Sequence, residues 1–479
     1  MDARVLHADR PIYVDLDGTL IKTDLLWESL FLLARQSPGS LWQVPLWAAR
    51  GKACLKAEIA KRVQLDPSLL PYREEVVHEL RMAKASGRRV ILATGANERF
   101  AHAIAEHLGL FDGVMASCDD VNLTASRKLD RIVAAQDVDG FEYFGNSHED
   151  VCLLEAAREA TVVAPDRLAG KWQRRTGAQL VPAPAHGILK GCLKAMRLHQ
   201  WAKNVLVFVP VVLTHEFLDL AMVVHGLIAF FAFSFAASSV YILNDLLDLT
   251  ADRRHKTKRR RPFASGQVPI PVGLLLGAGL LAASFGLAAT LPFPFGWVLG
   301  GYMVATTLYS FFLKRMLLID VLMLAALYTT RIVAGSAAAD VEASFWLMAF
   351  SVFFFLSLAL VKRFTELLEF GAGAERQQTG RGYLDVDLDM LGQAGIASGF
   401  ASVLVLALYI DSAEVRQLYD MPWLLWPLCP LVLYIVTRIW ILARRNQMHE
   451  DPVVFILHDW RSQMMIAAGV ALFGVAAVV

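Results

Sequence analysis

The stretch YILNDLLDLTADRRHKTKRRRPFASG, residues 241–266, sets three aspartates beside seven lysines and arginines at the end of an apolar run. Asn244, Asp248 and Asp252 are four residues apart, so they lie on one face of a helix, and Asp245 flanks that face. Mg²⁺ prefers oxygen ligands and often binds through carboxylates together with substrate phosphates. The stretch therefore predicts a metal–diphosphate site at the end of a membrane-spanning helix.

The basic residues of this stretch have two interpretations. Arg261 and its neighbours are able to hold phosphate oxygens, since arginine binds phosphate bidentately. The run 253–261 is also what the positive-inside rule places at the cytoplasmic end of a membrane helix, without any other function. A purely structural explanation is weaker for the aspartates, because carboxylates at the end of a spanning helix are costly.

The chain changes character at about residue 200. Its 479 residues are 56% hydrophobic and carry a net charge of +1, which gives the whole molecule no electrostatic bias toward nucleic acid. Residues 1–180 have ordinary proportions of charge, and residues 181–200 predict a linker and a basic amphipathic lead-in to a membrane domain over 201–479. Several apolar runs there approach the roughly 20 residues that span a bilayer. We predict nine, near 203–217, 220–243, 268–290, 293–312, 317–338, 344–361, 394–411, 421–441 and 462–479.

The placement of lysine and arginine predicts how the chain crosses the membrane. If the chain begins inside, the basic groups at 253–261, 313–315, 361–363 and 438–445 all fall on the cytoplasmic side. The N-terminus has neither the apolar core nor the cleavage site of a signal peptide. We therefore expect a multi-pass protein of a bacterial-type inner membrane with a cytoplasmic N-terminal domain. Its five scattered cysteines predict free thiols.

The N-terminal part contains short motifs whose polar groups suit phosphate chemistry. The segments PIYVDLDGTL (11–20), RRVILATGAN (88–97) and FEYFGNSHED (141–150) predict strands that end in polar residues. Functional groups collect at the carboxyl ends of strands in an open α/β sheet. Residues 24–88 have a helical pattern and predict a cap. The candidate site residues are Asp15, Asp17, Thr94, Lys128, Asn146 and Asp150.

These motifs, in this order, resemble the haloacid-dehalogenase-like hydrolases over about 10–170, although DLDGT alone also fits a turn with a capping aspartate. The resemblance implies a Rossmann-like α/β domain in which Asp15 forms an aspartyl-phosphate and Asp17 is the general acid/base. It also implies that Thr94 binds phosphate and that Lys128 neutralises its charge.

The resemblance further implies a Mg²⁺ site, with one departure from the family pattern. The ligands would be Asp15, Asp17, Asn146 and Asp150, but the family usually has an aspartate where Asn146 stands. An amide oxygen ligates a hard cation without bringing charge. We therefore expect weaker magnesium binding and still favour phosphatase activity.

The motif NDxxDxxxD (244–252) resembles the signature of the UbiA-type polyprenyltransferase superfamily, and the likeness extends over about 195–479. It implies an all-α domain, commonly of nine spans, with Mg²⁺ on the aspartates of the motif. Members usually carry a second aspartate-rich motif in a later cytoplasmic loop. Here that position has LVKRFTELLEF, so Lys362 and Arg363 stand where acids are expected.

Two further stretches, RLHQWAKNVLVFVP (197–210) and YSFFLKRMLLIDVLMLAALYTTRIVAG (309–335), are similar to the decaprenyl-phosphate phosphoribosyltransferase branch. This resemblance implies transfer of phosphoribose from phosphoribosyl diphosphate (PRPP) to a polyprenyl phosphate. Magnesium would hold the leaving diphosphate, and basic side chains would bind the two phosphate monoesters. The candidate substrate-binding residues are Lys203, Asn204, Asn244, Arg261, Tyr309, Lys314, Arg331, Lys362 and Arg363.

Some of these residues also have simpler interpretations. Lys314 fits a topology marker and Tyr309 an interfacial aromatic residue. Arg331 lies deeper in an apolar run, where a charge usually serves a site or an internal pair.

Two motif sets in one chain predict a bifunctional enzyme. The membrane domain would make polyprenyl-phosphoryl-5-phosphoribose and the N-terminal domain would remove its phosphate, giving a lipid-linked pentose precursor of the kind used for arabinose. An alternative is an aromatic polyprenyltransferase that uses a prenyl diphosphate and carries a regulatory hydrolase-like domain. A third is that the N-terminal domain is a catalytically weak binding module, which the amide at Asn146 favours.

Overall fold

The computed structural model describes residues 10–119, 121–135, 140–182, 187–213, 219–369, 382–419, 421–448 and 451–478. The chain divides into two compact units, Met1–Met196 with Tyr241–Leu276, and Arg197–Val240 with Gly277–Val479. The aspartate-rich segment therefore packs with the N-terminal part of the chain. Residues 183–186 of the predicted linker lie outside the described residues.

The described part of the first unit contains one parallel sheet in the order β3-β2-β1-β4-β5-β6. Strand β1 lies inside the sheet, between β2 and β4, and is buried along its whole length. The predicted strands correspond to β1, β2 and β4, and the predicted α/β fold class is confirmed. The strands are β1 Ile12–Val14, β2 Val90–Asn97, β3 Gly113–Ser117, β4 Glu142–Gly145, β5 Glu159–Val163 and β6 Gln179–Val181.

Helices cover the sheet and fill the connection between β1 and β2. The first of them begins after Asp24, whose side chain accepts hydrogen bonds from the N–H groups of Leu26 and Trp27. Its buried face includes Leu25 and Leu33, which join the main core of the unit. The helices are α1 Leu25–Gln36, α2 Val44–Ala49, α3 Lys52–Arg62, α4 Glu74–Ala85, α5 Glu98–Leu108, α6 Ala125–Ala134, α7 Val151–Ala156, α8 Arg167–Thr176 and α9 Ile188–Ala195.

The rest of the described chain is helical. Helix α12 belongs to the first unit, whereas α11 and α13 each contribute residues to both units. A 3₁₀-helix, Leu198–Phe208, precedes α10. The helices are α10 Val209–Leu213, α11 Leu220–Leu247, α12 Leu249–Arg254, α13 Ile270–Ala288, α14 Phe293–Phe311, α15 Ile319–Ala339, α16 Phe345–Glu369, α17 Leu388–Ile410, α18 Ala413–Leu418, α19 Leu428–Arg444, α20 Pro452–His458 and α21 Trp460–Val478.

The helical architecture and its multi-pass character are confirmed, but the predicted count of nine spans is not. Among the described residues, six helices are long and apolar enough to cross a membrane. The first predicted run instead contains a 3₁₀-helix followed by the five-residue α10. The six candidate spans are Leu220–Leu247, Ile270–Ala288, Ile319–Ala339, Phe345–Leu368, Asp385–Ile410 and Pro422–Arg444.

Helix α15 lies at the core of the second unit. Its residue Gly335 packs against the 3₁₀-helix so closely that a Cβ atom would lie 2.0 Å from the carbonyl oxygen of Val207. Only glycine permits this approach of two backbones. It brings the polar residues of the 3₁₀-helix within reach of Arg331, which α15 carries one turn before Gly335.

Candidate functional sites

The first candidate site begins where β1 ends. Asp15 is buried there, and Nζ of Lys128, from α6, donates a hydrogen bond of 2.7 Å to its Oδ1. Burial raises the pKa of Asp15 to about 6 and outweighs the opposing effect of Lys128. Burial alone would lower the pKa of Lys128, but Asp15 and Asp150 hold that pKa well above its usual value. The structure thus brings together the two residues predicted as nucleophile and charge-neutralising lysine.

Asp17 lies at the start of the cap and contacts α1 directly. Its Oδ1 accepts a hydrogen bond of 2.8 Å from the backbone N–H of Leu25. Burial raises the pKa of Asp17 well above its usual value, and the neighbouring carboxylates of Asp24 and Asp15 raise it further. General acid catalysis requires a protonated group beside the nucleophile, and a raised pKa favours that form.

Thr94 and a lysine that the sequence analysis did not identify lie along β2. The buried Thr94 hydroxyl accepts a hydrogen bond of 3.0 Å from the N–H of Ala96. Lys56, from α3 of the cap, donates to the carbonyl oxygen of Gly95 at 2.6 Å and to Oδ1 of Asn122 at 3.2 Å. No sequence signal marks Lys56, since only the fold of the cap brings it to the end of β2.

Asp150 has a structural role in the turn after β4. Its Oδ2 accepts hydrogen bonds from the N–H groups of Asn146 and Ser147, both at 3.2 Å, and its Oδ1 accepts one of 3.0 Å from the Tyr143 hydroxyl. Asn146 Oδ1 lies 3.4 Å from the Thr19 hydroxyl. Both oxygens of Asp150 are therefore already satisfied by protein groups.

The donor set of this site suits a hard cation only in part. Across the residues that the structure describes, no group of three or more His, Cys, Asp or Glu side chains is arranged to hold a metal ion. Asp15 and Asp17 are nevertheless both desolvated carboxyl groups, and the charge of Asp15 contributes to the raised pKa of Asp17. A cation beside them would relieve this repulsion, with the amide oxygen of Asn146 as an uncharged third ligand.

The second candidate site is the aspartate-rich segment. Nη1 of Arg261 lies 3.0 Å from Oδ1 of Asp245 and 2.8 Å from Oδ2 of Asp252. Asp245 lies near the end of α11 and Asp252 lies in α12, so Arg261 pairs with carboxylates from two successive helices. Asp248, which follows the end of α11, pairs instead with Arg35 of α1 at 3.1 Å. The backbone N–H of Asp248 donates to the carbonyl oxygen of Asn244 at 2.9 Å.

The sequence predicts that Arg261 binds a phosphate, but in the structure it pairs with Asp245 and Asp252. Burial raises the pKa of Asp252, and the adjacent Arg261 opposes that rise. A divalent cation and a guanidinium group are alternative partners for the same two carboxylates. The segment therefore fits a cation that displaces Arg261 from Asp245 and Asp252 and leaves its guanidinium available to a phosphate.

The third candidate site lies in the second unit and centres on Asp451, which the sequence analysis did not identify. Its Oδ2 accepts hydrogen bonds from Nζ of Lys203 at 2.7 Å and from Nζ of Lys362 at 3.1 Å. The Tyr328 hydroxyl donates to the same carboxylate at 2.8 Å. Burial by itself raises the pKa of Asp451, but Lys362 and Lys203 hold it well below its usual range. The only sequence signal was an aspartate before Pro452 at a helix start.

Arg331 and Asn204 form a neighbouring buried network. Nε of Arg331 donates a hydrogen bond of 2.8 Å to Oδ1 of Asn204, and Nη2 donates one of 3.2 Å to the Tyr302 hydroxyl. The amide nitrogen of Asn204 in turn donates to Ser234 at 2.9 Å. The guanidinium also lies 5.6 Å from the centre of the Tyr328 ring, so this network adjoins the Asp451 site.

Of the remaining predicted residues, Tyr309 lies on α14 and Arg363 lies on α16. Nη2 of Arg363 is 2.7 Å from Oδ2 of Asp320, and both side chains are almost completely buried. Tyr383 also donates a hydrogen bond to Asp320. Tyr309 is close enough to Lys362 and Arg363 to interact electrostatically with both. Lys314 lies in the 3₁₀-helix that follows α14.

Comparison with known proteins finds two family matches in different parts of the chain. Residues 206–460 match the UbiA prenyltransferase family, and residues 44–155 match the haloacid dehalogenase-like hydrolases. Uncharacterized protein y4nM of Sinorhizobium fredii is 39% identical over 94% of this chain and 87% of its own length. Nodulation protein NoeC of Azorhizobium caulinodans is 33% identical over 58% of this chain and 90% of its own length.

The resemblance to the phosphoribosyltransferase branch is also confirmed. Decaprenyl-phosphate phosphoribosyltransferase of Corynebacterium glutamicum is 35% identical over 39% of this chain and 57% of its own length. Together with the helical architecture and the family match, these similarities fix the class of the membrane part. The chain belongs to the UbiA prenyltransferase family and carries a haloacid dehalogenase-like domain at its N-terminal end.

Proposed function

We propose that the chain is a bifunctional enzyme that transfers phosphoribose from PRPP to a polyprenyl phosphate and then removes the 5-phosphate. The observation that carries this proposal is the presence in one chain of two complementary parts. One is similar to decaprenyl-phosphate phosphoribosyltransferases, whose expected product bears a phosphate monoester. The other contains the buried pair of Asp15 and Lys128 that hydrolysis of such a monoester requires.

In the first reaction, an oxygen of the lipid phosphate attacks the anomeric carbon of PRPP, and the bond from that carbon to diphosphate breaks. The diphosphate leaves with the bonding electrons, so no protein nucleophile is required. Lys203, Lys362 and Arg331 are the groups that we assign to the phosphates of the substrates. The aspartates of the segment would hold Mg²⁺, which supplies positive charge to the leaving diphosphate.

In the second reaction, an oxygen of Asp15 attacks phosphorus in the 5-phosphate and the bond from phosphorus to the sugar oxygen breaks. Asp17 gives its proton to the departing sugar oxygen, which becomes a hydroxyl group. Water then hydrolyses the aspartyl-phosphate and releases inorganic phosphate. We assign neutralisation of the transferred phosphoryl group to Lys128, whose Nζ lies 2.7 Å from Oδ1 of Asp15.

We infer that both reactions take place at a bacterial inner membrane, with the N-terminal domain in the cytoplasm, where PRPP is available. The basis for this orientation is the placement of lysine and arginine in the nine-span topology predicted from the sequence. The partners are PRPP, polyprenyl phosphate and Mg²⁺ at both sites, without nucleic acid. The product is a lipid-linked pentose, the precursor class for arabinose-containing envelope glycans.

The proposal is tested with purified full-length protein, Mg²⁺, labelled PRPP and decaprenyl phosphate, followed by mass analysis of the lipid extract. Wild-type protein is expected to give polyprenyl-phosphoryl-ribose, and Asp15→Asn is expected to accumulate the form that retains the 5-phosphate. If both proteins accumulate the phosphorylated lipid, the N-terminal domain is not the phosphatase. The amide at Asn146 is the feature that favours this outcome. If no lipid is labelled while a prenyl diphosphate and an aromatic acceptor react, the first reaction is wrong.

A further inference from the structure

Helix α1 contacts both candidate sites of the first unit. At its first residue, the N–H of Leu25 donates a hydrogen bond of 2.8 Å to Asp17. In its last turn, Arg35 lies 3.1 Å from Asp248. Ten residues of α-helix separate these two positions by about 15 Å. One short, rigid element therefore joins the hydrolase-like site to the aspartate-rich segment.

The strongest contact of α1 with that segment is a buried ion pair. Arg253 donates to Glu28 through Nη1 at 2.9 Å and through Nη2 at 2.5 Å, in the bidentate arrangement that arginine and carboxylate prefer. The two side chains are 7% and 6% exposed. Nε of Arg253 also donates to the carbonyl oxygen of Ala264 at 2.8 Å. Arg253 thus ties the end of α12 and the loop after the basic run to the same point on α1.

A second, independent contact holds the same loop. Gly266 has a φ of +71°, and a Cβ atom there would lie 2.6 Å from Cβ of Lys22. Lys22 belongs to the turn between Asp17 and α1. The loop after the basic run therefore packs directly against the N-terminal domain at Gly266, and at Ala264 it is linked to Glu28 through Arg253.

We propose that Glu28 is a positioning residue for the aspartate-rich site and that it acts through Arg253. The hydrolase-like domain is then a structural requirement of phosphoribosyl transfer, in addition to acting on its product. Glu28 touches no substrate in this arrangement. It fixes Arg253, which fixes the helix that carries Asp252 and the loop that begins at Arg261. The inference rests on the proposed function, because it concerns the site assigned to the diphosphate.

The test compares Glu28→Gln, the exchange variant Glu28→Arg with Arg253→Glu, and a control, in full-length protein. The control is Arg254→Gln, because Arg254 lies 3.3 Å from Asp66 in an exposed pair of the same segment. We expect Glu28→Gln to lower kcat for phosphoribosyl transfer about 10-fold or more. It should also raise the Mg²⁺ concentration that gives the half-maximal rate, because Arg253 loses its buried charged partner. Arg254→Gln should match wild type, and the exchange variant should recover part of the loss.

Two readouts separate positioning from general damage. Hydrolysis of a soluble phosphate monoester by Glu28→Gln should stay within about twofold of wild type, since Asp15 and Lys128 do not contact Glu28. If Glu28→Gln does not fold, Arg253→Lys keeps the charge, loses the bidentate geometry and should show the same rise in Mg²⁺ requirement. The inference is overturned if Glu28→Gln or Arg253→Lys transfers phosphoribose at the wild-type rate and with the wild-type Mg²⁺ requirement. A wild-type protein that transfers no phosphoribose refutes the proposed function itself, which is a separate outcome.

Discussion

Oδ2 of Asp451 lies 2.7 Å from Nζ of Lys203 in the interior of the helical unit. Lys362 reaches the same oxygen, at 3.1 Å. Two ammonium groups that both lie within about 3 Å of one oxygen repel each other strongly in a medium of low dielectric constant unless an anion lies between them. Asp451 is therefore the group that allows both lysines to remain charged and in fixed positions.

We expect Asp451→Asn to lower kcat/KM for polyprenyl phosphate by about 10- to 100-fold, which corresponds to the loss of one or two charge-assisted hydrogen bonds. Initial rates measured against polyprenyl phosphate at fixed PRPP provide the test. Asp459→Asn is the matched control, because Asp459 pairs with Arg438 at 2.6 Å and does not contact the lysines. Equal losses in both variants would point to damage of the fold and contradict a specific role for Asp451.

The sequence predicted the strands that carry motifs and missed those that do not. Strands β1, β2 and β4 each end in a recognisable polar group, so their apolar runs could be identified. Strands β3, β5 and β6 are three to five residues long and lie at or near the edges of the sheet. Strands β1 and β4 are equally short, so the polar motif at the end of each run, and not its length, made it recognisable.

The sequence also could not predict which charged residues pair with each other. Spacing placed the aspartates of the segment on one helix, but the end of α11 before Asp248 turns that residue toward Arg35, whereas Asp245 and Asp252 meet at Arg261. Asp451 is far along the chain from Lys203, so no local pattern connects them. Motifs identify which residues carry the chemistry, whereas the tertiary fold decides which charge faces which.

Arg35 pairs with Asp248, so we expect it to compete with a cation for that carboxylate. A cavity of about 240 Å³ beside α1 and α12 is lined by both residues and gives the arginine side chain room to move. We expect Arg35→Gln to lower the Mg²⁺ concentration for half-maximal transfer by about 1.5- to 5-fold, the effect of one partly exposed ion pair. Titration of Mg²⁺ at saturating PRPP measures this shift. Arg81→Gln, on an exposed part of α4, is the control, and an unchanged Mg²⁺ requirement in Arg35→Gln would refute the competition.

We expect Asn146 to set the cation affinity of the hydrolase-like site. Asn146→Asp preserves the oxygen that lies 3.4 Å from the Thr19 hydroxyl and adds a negative charge near Asp15 and Asp17. We expect half-maximal phosphatase activity at a several-fold lower Mg²⁺ concentration, because a carboxylate binds a hard cation more strongly than an amide does. Asn146→Ala removes the oxygen and should shift the requirement in the opposite direction. The same Mg²⁺ dependence in all three proteins would show that residue 146 is not a ligand.

Arg363 supports the fold of the helical unit through a buried ion pair with Asp320. The side chains are 2% and 0% exposed, and Nη2 lies 2.7 Å from Oδ2. Removal of the guanidinium leaves an uncompensated carboxylate in the protein interior, which typically costs about 3–5 kcal/mol. We therefore expect Arg363→Leu to unfold at a markedly lower temperature than wild type in the same detergent, whether or not PRPP is present.

Two further variants separate a structural role of Arg363 from phosphate binding. They are Arg416→Gln and the double variant Arg363→Leu with Asp320→Leu. Arg416 pairs with Asp411 at 2.5 Å, but both side chains are more than half exposed, so this variant should leave thermal stability within experimental error. The double variant removes both buried charges and should recover most of the stability lost in Arg363→Leu. A single Arg363→Leu protein with wild-type stability but without phosphoribosyl transfer would instead assign Arg363 to a substrate phosphate. The pairing with Asp320 predicts the first result, because a guanidinium already neutralised inside the helical unit has less charge to offer a substrate.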